Sequence, residues 1–131
     1  MARVIYVEDD PVMGELVREI LTDAGHLVGV IAHGTLAFET IAFKKPELVI
    51  LDRKLPGMTG MEILQRLRRI PELYLTPVLM LTGTGGESNI DEGLEAGAND
   101  YLVKPFKPQE LIRRVDEVIQ EASFQTQRRL R

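Results

Sequence analysis

The segment Pro46-Glu-Leu-Val-Ile-Leu-Asp52-Arg-Lys-Leu-Pro-Gly57 ends an apolar run on a carboxylate. Leu48 to Leu51 is short and unbroken, as a strand buried on both faces requires. It stops at Asp52, and Pro56-Gly57 then imposes a turn. Open α/β sheets place their ligands at the carboxyl ends of such strands. A capping role for Asp52 in its own turn is the competing reading, and this segment alone does not choose between them.

Upstream, Arg3-Val-Ile-Tyr-Val7 is a second β-rich run, and it stops at Glu8-Asp9-Asp10. Val12, Leu16, Val17, Ile20 and Leu21 then recur at helical spacing, with Asp10 as N-cap, Pro11 in the first turn and Gly25 at the C′ position. His26 to Ala32 reads as a strand and Thr35 to Lys45 as a helix. Downstream, Met58 to Ile70 reads as a helix stopped by Pro71. Its Met61, Leu64 and Leu67 face inward, while Arg66, Arg68 and Arg69 form a solvated face. Pro77 to Leu81 is a fourth buried strand, followed by Thr82 and by Gly83, Gly85 and Gly86. A weaker helix over Glu87 to Glu95 ends at Ala96-Gly97. Asp100 to Val103 is a fifth strand, ending at Lys104-Pro105. Pro108 to Ala122 is a strongly periodic helix with Leu111, Ile112, Val115, Val118 and Ile119 as its stripe. Five β-then-α units predict an α/β fold with a five-stranded parallel sheet, doubly wound, covered by helices on both faces.

The 131 residues fit one domain, taken as residues 1–122. Residues 123–131 form a polar tail bearing Arg128, Arg129 and Arg131, either a continuation of the last helix or the start of a linker. Apolar content of 44% and charged content of 27% are those of an ordinary soluble protein. The absence of cysteine excludes disulfides, thiolate metal sites and a cysteine nucleophile. A net charge of −4 with interspersed signs gives no reason to expect direct nucleic-acid binding, and three tail arginines without a recognition module add only weak, salt-sensitive attraction. No stretch is long and apolar enough for a membrane span, so the expected location is cytoplasmic.

In a parallel sheet the carboxyl ends of all strands lie on one edge, so Glu8, Asp9, Asp52, Thr82 and Lys104 can converge there. Crowded carboxylates repel one another unless a cation neutralises them. Mg²⁺ suits a shallow set of carboxylates, waters and substrate phosphate. With it, the remaining groups match a phosphoryl-transfer site. Asp52 would be the nucleophile, Asp9 a direct metal ligand, Glu8 the holder of a metal-bound water, and Thr82 and Lys104 the partners of phosphoryl oxygens. Each has a plainer reading. Asp10 serves as an N-cap, His26 and His33 as ordinary polar residues, and Thr82 as a donor to backbone. Gly83, Gly85 and Gly86 lack the Lys-Ser/Thr ending of a P-loop and give loop freedom instead.

Four segments together resemble the receiver domain of bacterial response regulators, over residues 3 to 121. They are Val7-Glu8-Asp9-Asp10, Asp52-Arg-Lys-Leu-Pro-Gly-Met-Thr-Gly60, Leu81-Thr82-Gly83 and Gly93-Leu-Glu-Ala-Gly-Ala-Asn-Asp-Tyr-Leu-Val-Lys-Pro-Phe106. The resemblance implies a flavodoxin-like sheet of order 2-1-3-4-5 and Mg²⁺-dependent phosphorylation of Asp52 by a histidine kinase. It further implies a backbone-carbonyl metal ligand at Lys54 and a cis bond before Pro105 that aims Lys104 into the site. Thr82 and Tyr101 would act as switch residues, with Tyr101 turning inward, under an added charge of roughly −2. Lys54 and Thr84 would flank the phosphoryl group and influence its lifetime. A homodimer through the fourth helix and fifth strand is in doubt because Ile90 stands near the place of a basic residue; Asp100 and Arg114 remain available to it.

The implied partners are a histidine kinase or phosphotransfer protein upstream and an effector or fused output domain downstream. External turnover is not expected: phosphatases with an Asp nucleophile often carry a second Asp where Lys54 stands. A flavin-binding protein would need a Ser, Thr and Gly-rich loop where Glu8-Asp9-Asp10 would repel the phosphate. A receiver-like scaffold that takes no phosphate is the remaining alternative.

Overall fold

The computed structural model describes the backbone of residues 1–129 and the side chains of residues 1–125, so the side chains of the tail arginines lie outside the described residues. Strands β1 (Arg3–Val7), β2 (Leu27–Ile31), β3 (Leu48–Leu51), β4 (Val78–Thr82) and β5 (Asp100–Val103) alternate with helices α1 (Pro11–Asp23), α2 (Gly34–Lys44), α3 (Gly60–Arg69), α4 (Glu87–Glu95) and α5 (Pro108–Arg129). All strand pairs are parallel, in the order β2-β1-β3-β4-β5. Every residue of β3 and β4 is buried, as the unbroken apolar runs require.

Strand alternation divides the core in two. Ile5, Val7, Val49, Leu51 and Met80 face α2, α3 and α4, where Ala37, Ile41, Ile63, Leu64 and Leu67 close the layer. Val4, Tyr6, Ile50, Leu79 and Leu81 face α1 and α5, against Val17, Leu21, Leu111, Val115 and Val118. Each fully buried Leu or Ile side chain contributes about 1.5–3 kcal/mol of transfer free energy, so helix docking on both faces outweighs local propensity.

Helix ends follow side-chain chemistry. Asp10 caps α1 by accepting the Val12 N–H at 3.0 Å, and Gly25 follows that helix at φ 98°. The expected start of α3 at Met58 is two residues early. Thr59 is the N-cap, its hydroxyl accepting from the Glu62 N–H while the Glu62 carboxylate accepts from the Thr59 N–H. β2 is shorter than expected, leaving His26 and Ala32 outside it. β4 starts after Pro77, which has no N–H to give. The backbone of α5 continues past Ala122 to Arg129, which is the helical alternative for the start of the tail.

Arg68 departs from its expected solvated face. It donates to the carbonyls of Gly97, Tyr74 and Thr76 and to Asn99 Oδ1, tying α3 to the turn before β5. A guanidinium fork suits this because it serves several acceptors at once. His26, outside β2, is held by polar contacts within the fold. It is buried, its Nδ1 accepting from the Ala2 N–H at 3.2 Å and its Nε2 facing Asp116 at 3.3 Å.

Candidate functional site

The ladder carries one rung past the strands and so fixes the site backbone. Glu8 N–H donates to Ile31, Asp52 N–H to Val7 and Lys104 N–H to Thr82, at 3.0, 3.2 and 2.9 Å. Because Val7 pairs with Leu51, and Thr82 with Val103, the next residues out are brought to one edge. The start of α3 presses against the same backbone. A Cβ on Gly60 would lie 1.9 Å from the Asp52 carbonyl oxygen, so only glycine permits that approach.

Glu8, Asp9, Asp10, Asp52, Lys54, Thr82, Gly83, Thr84 and Lys104 line one cavity of about 530 Å³. The sequence-derived set therefore comes together in space. Among them, Lys104 has its Nζ 2.9 Å from Asp52 Oδ2 and also bonded to Glu8 Oε1. The Lys104–Pro105 peptide is cis, as the resemblance implied. Thr82 is buried, and its Oγ1 accepts from the Thr84 N–H at 3.2 Å. Lys54 is exposed, while its N–H approaches Asp52 Oδ1 at 3.4 Å.

Tyr6 escaped the sequence reading. Its phenol is wholly buried and donates to Glu8 Oε1 at 2.8 Å. The signal was available, for Tyr6 and Glu8 are two apart on a strand and so share a face. Burial, then the hydrogen bond to Glu8, pushes the Tyr6 phenol above its ordinary range.

The two buried carboxylates diverge. Burial pushes Glu8 up, and the bonds from Lys104 and Tyr6 offset this only in part. Burial also acts on Asp52, but hydrogen bonds from Lys104 and Thr82 and the lysine charge outweigh it, holding the group below the usual carboxylate range. The same contacts more than offset burial at Lys104 and raise it. Asp52 is thus kept ionised and oriented, which is what a nucleophilic carboxylate needs.

Lys104 relieves part of the crowding between the Glu8 and Asp52 carboxylates. Among the described residues no three Asp, Glu, His or Cys side chains are gathered as a metal cluster. The donor chemistry nonetheless fits a hard divalent ion, since Asp9 and Asp52 face the cavity, Asp9 is exposed, and every candidate ligand is an oxygen.

Tyr101 faces inward in this structure. It is buried, its hydroxyl donates to the Thr84 carbonyl at 2.6 Å, and its ring lies 2.8 Å from where a Cβ on Gly93 would be. Asp100 and Arg114 pair with each other at 2.9 Å, and Arg114 also reaches Glu110 at 2.9 Å.

The model of the response regulator receiver domain matches residues 4–116, and the chain belongs to that family. It is 39% identical over 122 residues to the phosphate regulon transcriptional regulatory protein PhoB of Rhizobium meliloti, covering 93% of this chain and 54% of that protein. It is 42% identical over 113 residues to the transcriptional regulatory protein TcrA of Mycobacterium tuberculosis, covering 86% and 44%. The chain thus spans about half the length of these curated relatives. Among solved structures, a putative response regulator from Chloroflexus aurantiacus aligns with a TM-score of 0.86 at 39% identity, covering 91% of this chain and 98% of the other. The BeF3-activated receiver domain of Klebsiella pneumoniae RstA aligns with 0.83 at 36% identity, covering 89% and 97%. Among the described residues no helix is long and apolar enough to cross a membrane.

Proposed function

We propose that this receiver domain accepts a phosphoryl group on Asp52 from a histidine kinase or phosphotransfer protein, and that the acyl phosphate alters a protein-interaction face. The carrying observation is the buried Asp52 carboxylate bonded to Lys104 Nζ at 2.9 Å, with Thr82 lining the same cavity. In the transfer an N–P bond of phosphohistidine breaks and an Asp52 O–P bond forms, leaving the imidazole to the donor. Asp52 supplies the attacking oxygen, while Lys104 and Thr82 offer donors to the equatorial oxygens. Asp9, Asp52 and the Lys54 carbonyl would hold Mg²⁺, with Glu8 behind a bound water; the ion supplies charge neutralisation of the phosphoryl oxygens. Thr82 and Tyr101 are the switch residues in this reading, Tyr101 working from its inward position. Lys54 and Thr84 flank the group and set water access to it.

The domain catalyses its own phosphorylation and dephosphorylation and turns over no external substrate. Its output is an effector protein or a fused domain, the latter supported by the greater length of the curated relatives, which are named as transcriptional regulators. A cytoplasmic location fits such a role, with no membrane contact and no direct nucleic-acid contact by this domain. Incubation with Mg²⁺ and a small phosphodonor, followed by intact-mass measurement, tests the proposal. The native chain should gain one phosphoryl mass and Asp52→Asn none. A native chain that gains nothing would leave the scaffold reading in its place.

A further inference from the structure

Helix α4 is the helix least anchored by burial. Gly93 is its one buried residue, and its N-cap, Gly86, has no side chain to offer the first turn. A side chain from outside the helix holds it instead. Arg53, next in sequence to Asp52, has a side chain only 14% exposed and spans to α4. Its guanidinium donates to the Asn89 carbonyl at 3.0 Å and pairs with the Glu92 carboxylate. Asn89 in turn donates through its side chain to the Gly85 carbonyl at 2.9 Å, in the loop that follows Thr82.

Resting on the phospho-acceptor reading, we propose that Arg53 is a regulatory strap that couples the loading of Asp52 to the position of α4. One end of the strap is rigid, because the Arg53 carbonyl accepts from the Gly60 N–H at 3.0 Å where α3 begins. The other end is adjustable. Its acceptors are one main-chain carbonyl and a carboxylate that is 60% exposed, in a helix with little buried surface to hold it. A group bound at Asp52 shifts α4 only through contacts that differ between its two positions. The Arg53 fork provides such a contact one residue from the new charge, and it serves a carbonyl and a carboxylate together, which the lysine point charge does not.

Hydrogen–deuterium exchange on the native chain, R53A, R53K and E92Q tests this, each with and without Mg²⁺ plus beryllofluoride as the probe. Without the probe, exchange across residues 87–95 should be roughly five- to tenfold faster in all three variants than in the native chain. With it, the native α4 response should shrink at least threefold in R53A and E92Q, while probe affinity stays within twofold. E92Q lies outside the pocket and isolates the strap from any disturbance of the Asp52 loop. A full native response in E92Q and R53A overturns the strap and leaves phospho-acceptance standing. Failure of the native chain to take the probe overturns both.

Discussion

Helices α3 and α4 contribute to the same core layer, have 10 and 9 residues, and are held by different means. α3 buries Gly60, Ile63, Leu64 and Leu67, starts with a reciprocal Thr59–Glu62 cap, and is pinned near its end by Arg68. α4 buries Gly93 alone, lacks a side-chain cap, and is held by the Arg53 and Asn89 contacts. Apolar burial is dense and non-directional, so α3 moves only if the core does. A few polar ties over a mostly exposed helix leave the free energy of local opening low. One helix therefore belongs to the frame that fixes Asp52. The other belongs to the part of the fold able to respond.

Cavity formation gives the sharpest contrast. Leu64→Ala should destabilise the chain by about 2–5 kcal/mol in chemical denaturation, since Leu64 is fully buried in α3. A loss below about 1 kcal/mol would mean that α3 is not the rigid partner described.

Removing the Lys104 cation comes next. In Lys104→Met, burial of Asp52 loses its main opposition, and its carboxyl should titrate above rather than below the usual range when followed by ¹³C NMR. The sign for stability follows directly. A carboxylate with a lowered folded value stabilises the fold above its unfolded pKa, and that contribution is lost as pH falls through the folded value. Glu8 has the opposite sign. Its raised value costs nothing below the ordinary glutamate range, and the cost appears as pH rises through the folded value. The Asp52-linked acid loss should disappear in the variant; its persistence would show that Lys104 does not hold Asp52 down.

Gly93→Ala tests the seat of α4. The new methyl would press the Tyr101 ring, while alanine favours the helix, so a net loss of about 1 kcal/mol is expected. Exchange should quicken in α4 and remain unchanged in α3. Equal quickening in both helices would dissolve the distinction between them.

Lys54→Ala addresses lifetime rather than stability. The rate of acyl-phosphate loss, followed by intact mass, should change roughly two- to tenfold, equivalent to about 0.4–1.4 kcal/mol in barrier. An unchanged rate removes Lys54 from control of water access. The smallest effect is expected from Leu94→Ala, a partly exposed α4 position, at under about 0.5 kcal/mol. A larger loss would mean that α4 is anchored by burial after all.

The legible parts of the fold were those with a period or a stop signal. β3 and β5 ended where their apolar runs did, and Asp10 and Gly25 bounded α1 as their chemistry required. The start of α3 lies two residues past the expected Met58, where Thr59-x-x-Glu62 spells the cap. Arg68 departs from its expected face for a non-local reason. Its acceptors lie on the segments before β4 and β5, and no local pattern announces main-chain carbonyls left for a side chain to satisfy.

Residue type and order along the chain determined that acidic, hydroxyl and amino groups would stand at the ends of parallel strands, since alternation and crossover leave few other topologies. Only the tertiary structure decided how those groups divide their partners. Lys104 joins Glu8 to Asp52, Tyr6 supports Glu8 from below, Tyr101 sits inward under Gly93, and Arg53 crosses to α4. Strand and helix signals are local and repeat along the chain. A hydrogen bond between residues 36 or 96 positions apart is set by register and packing, which no single segment carries.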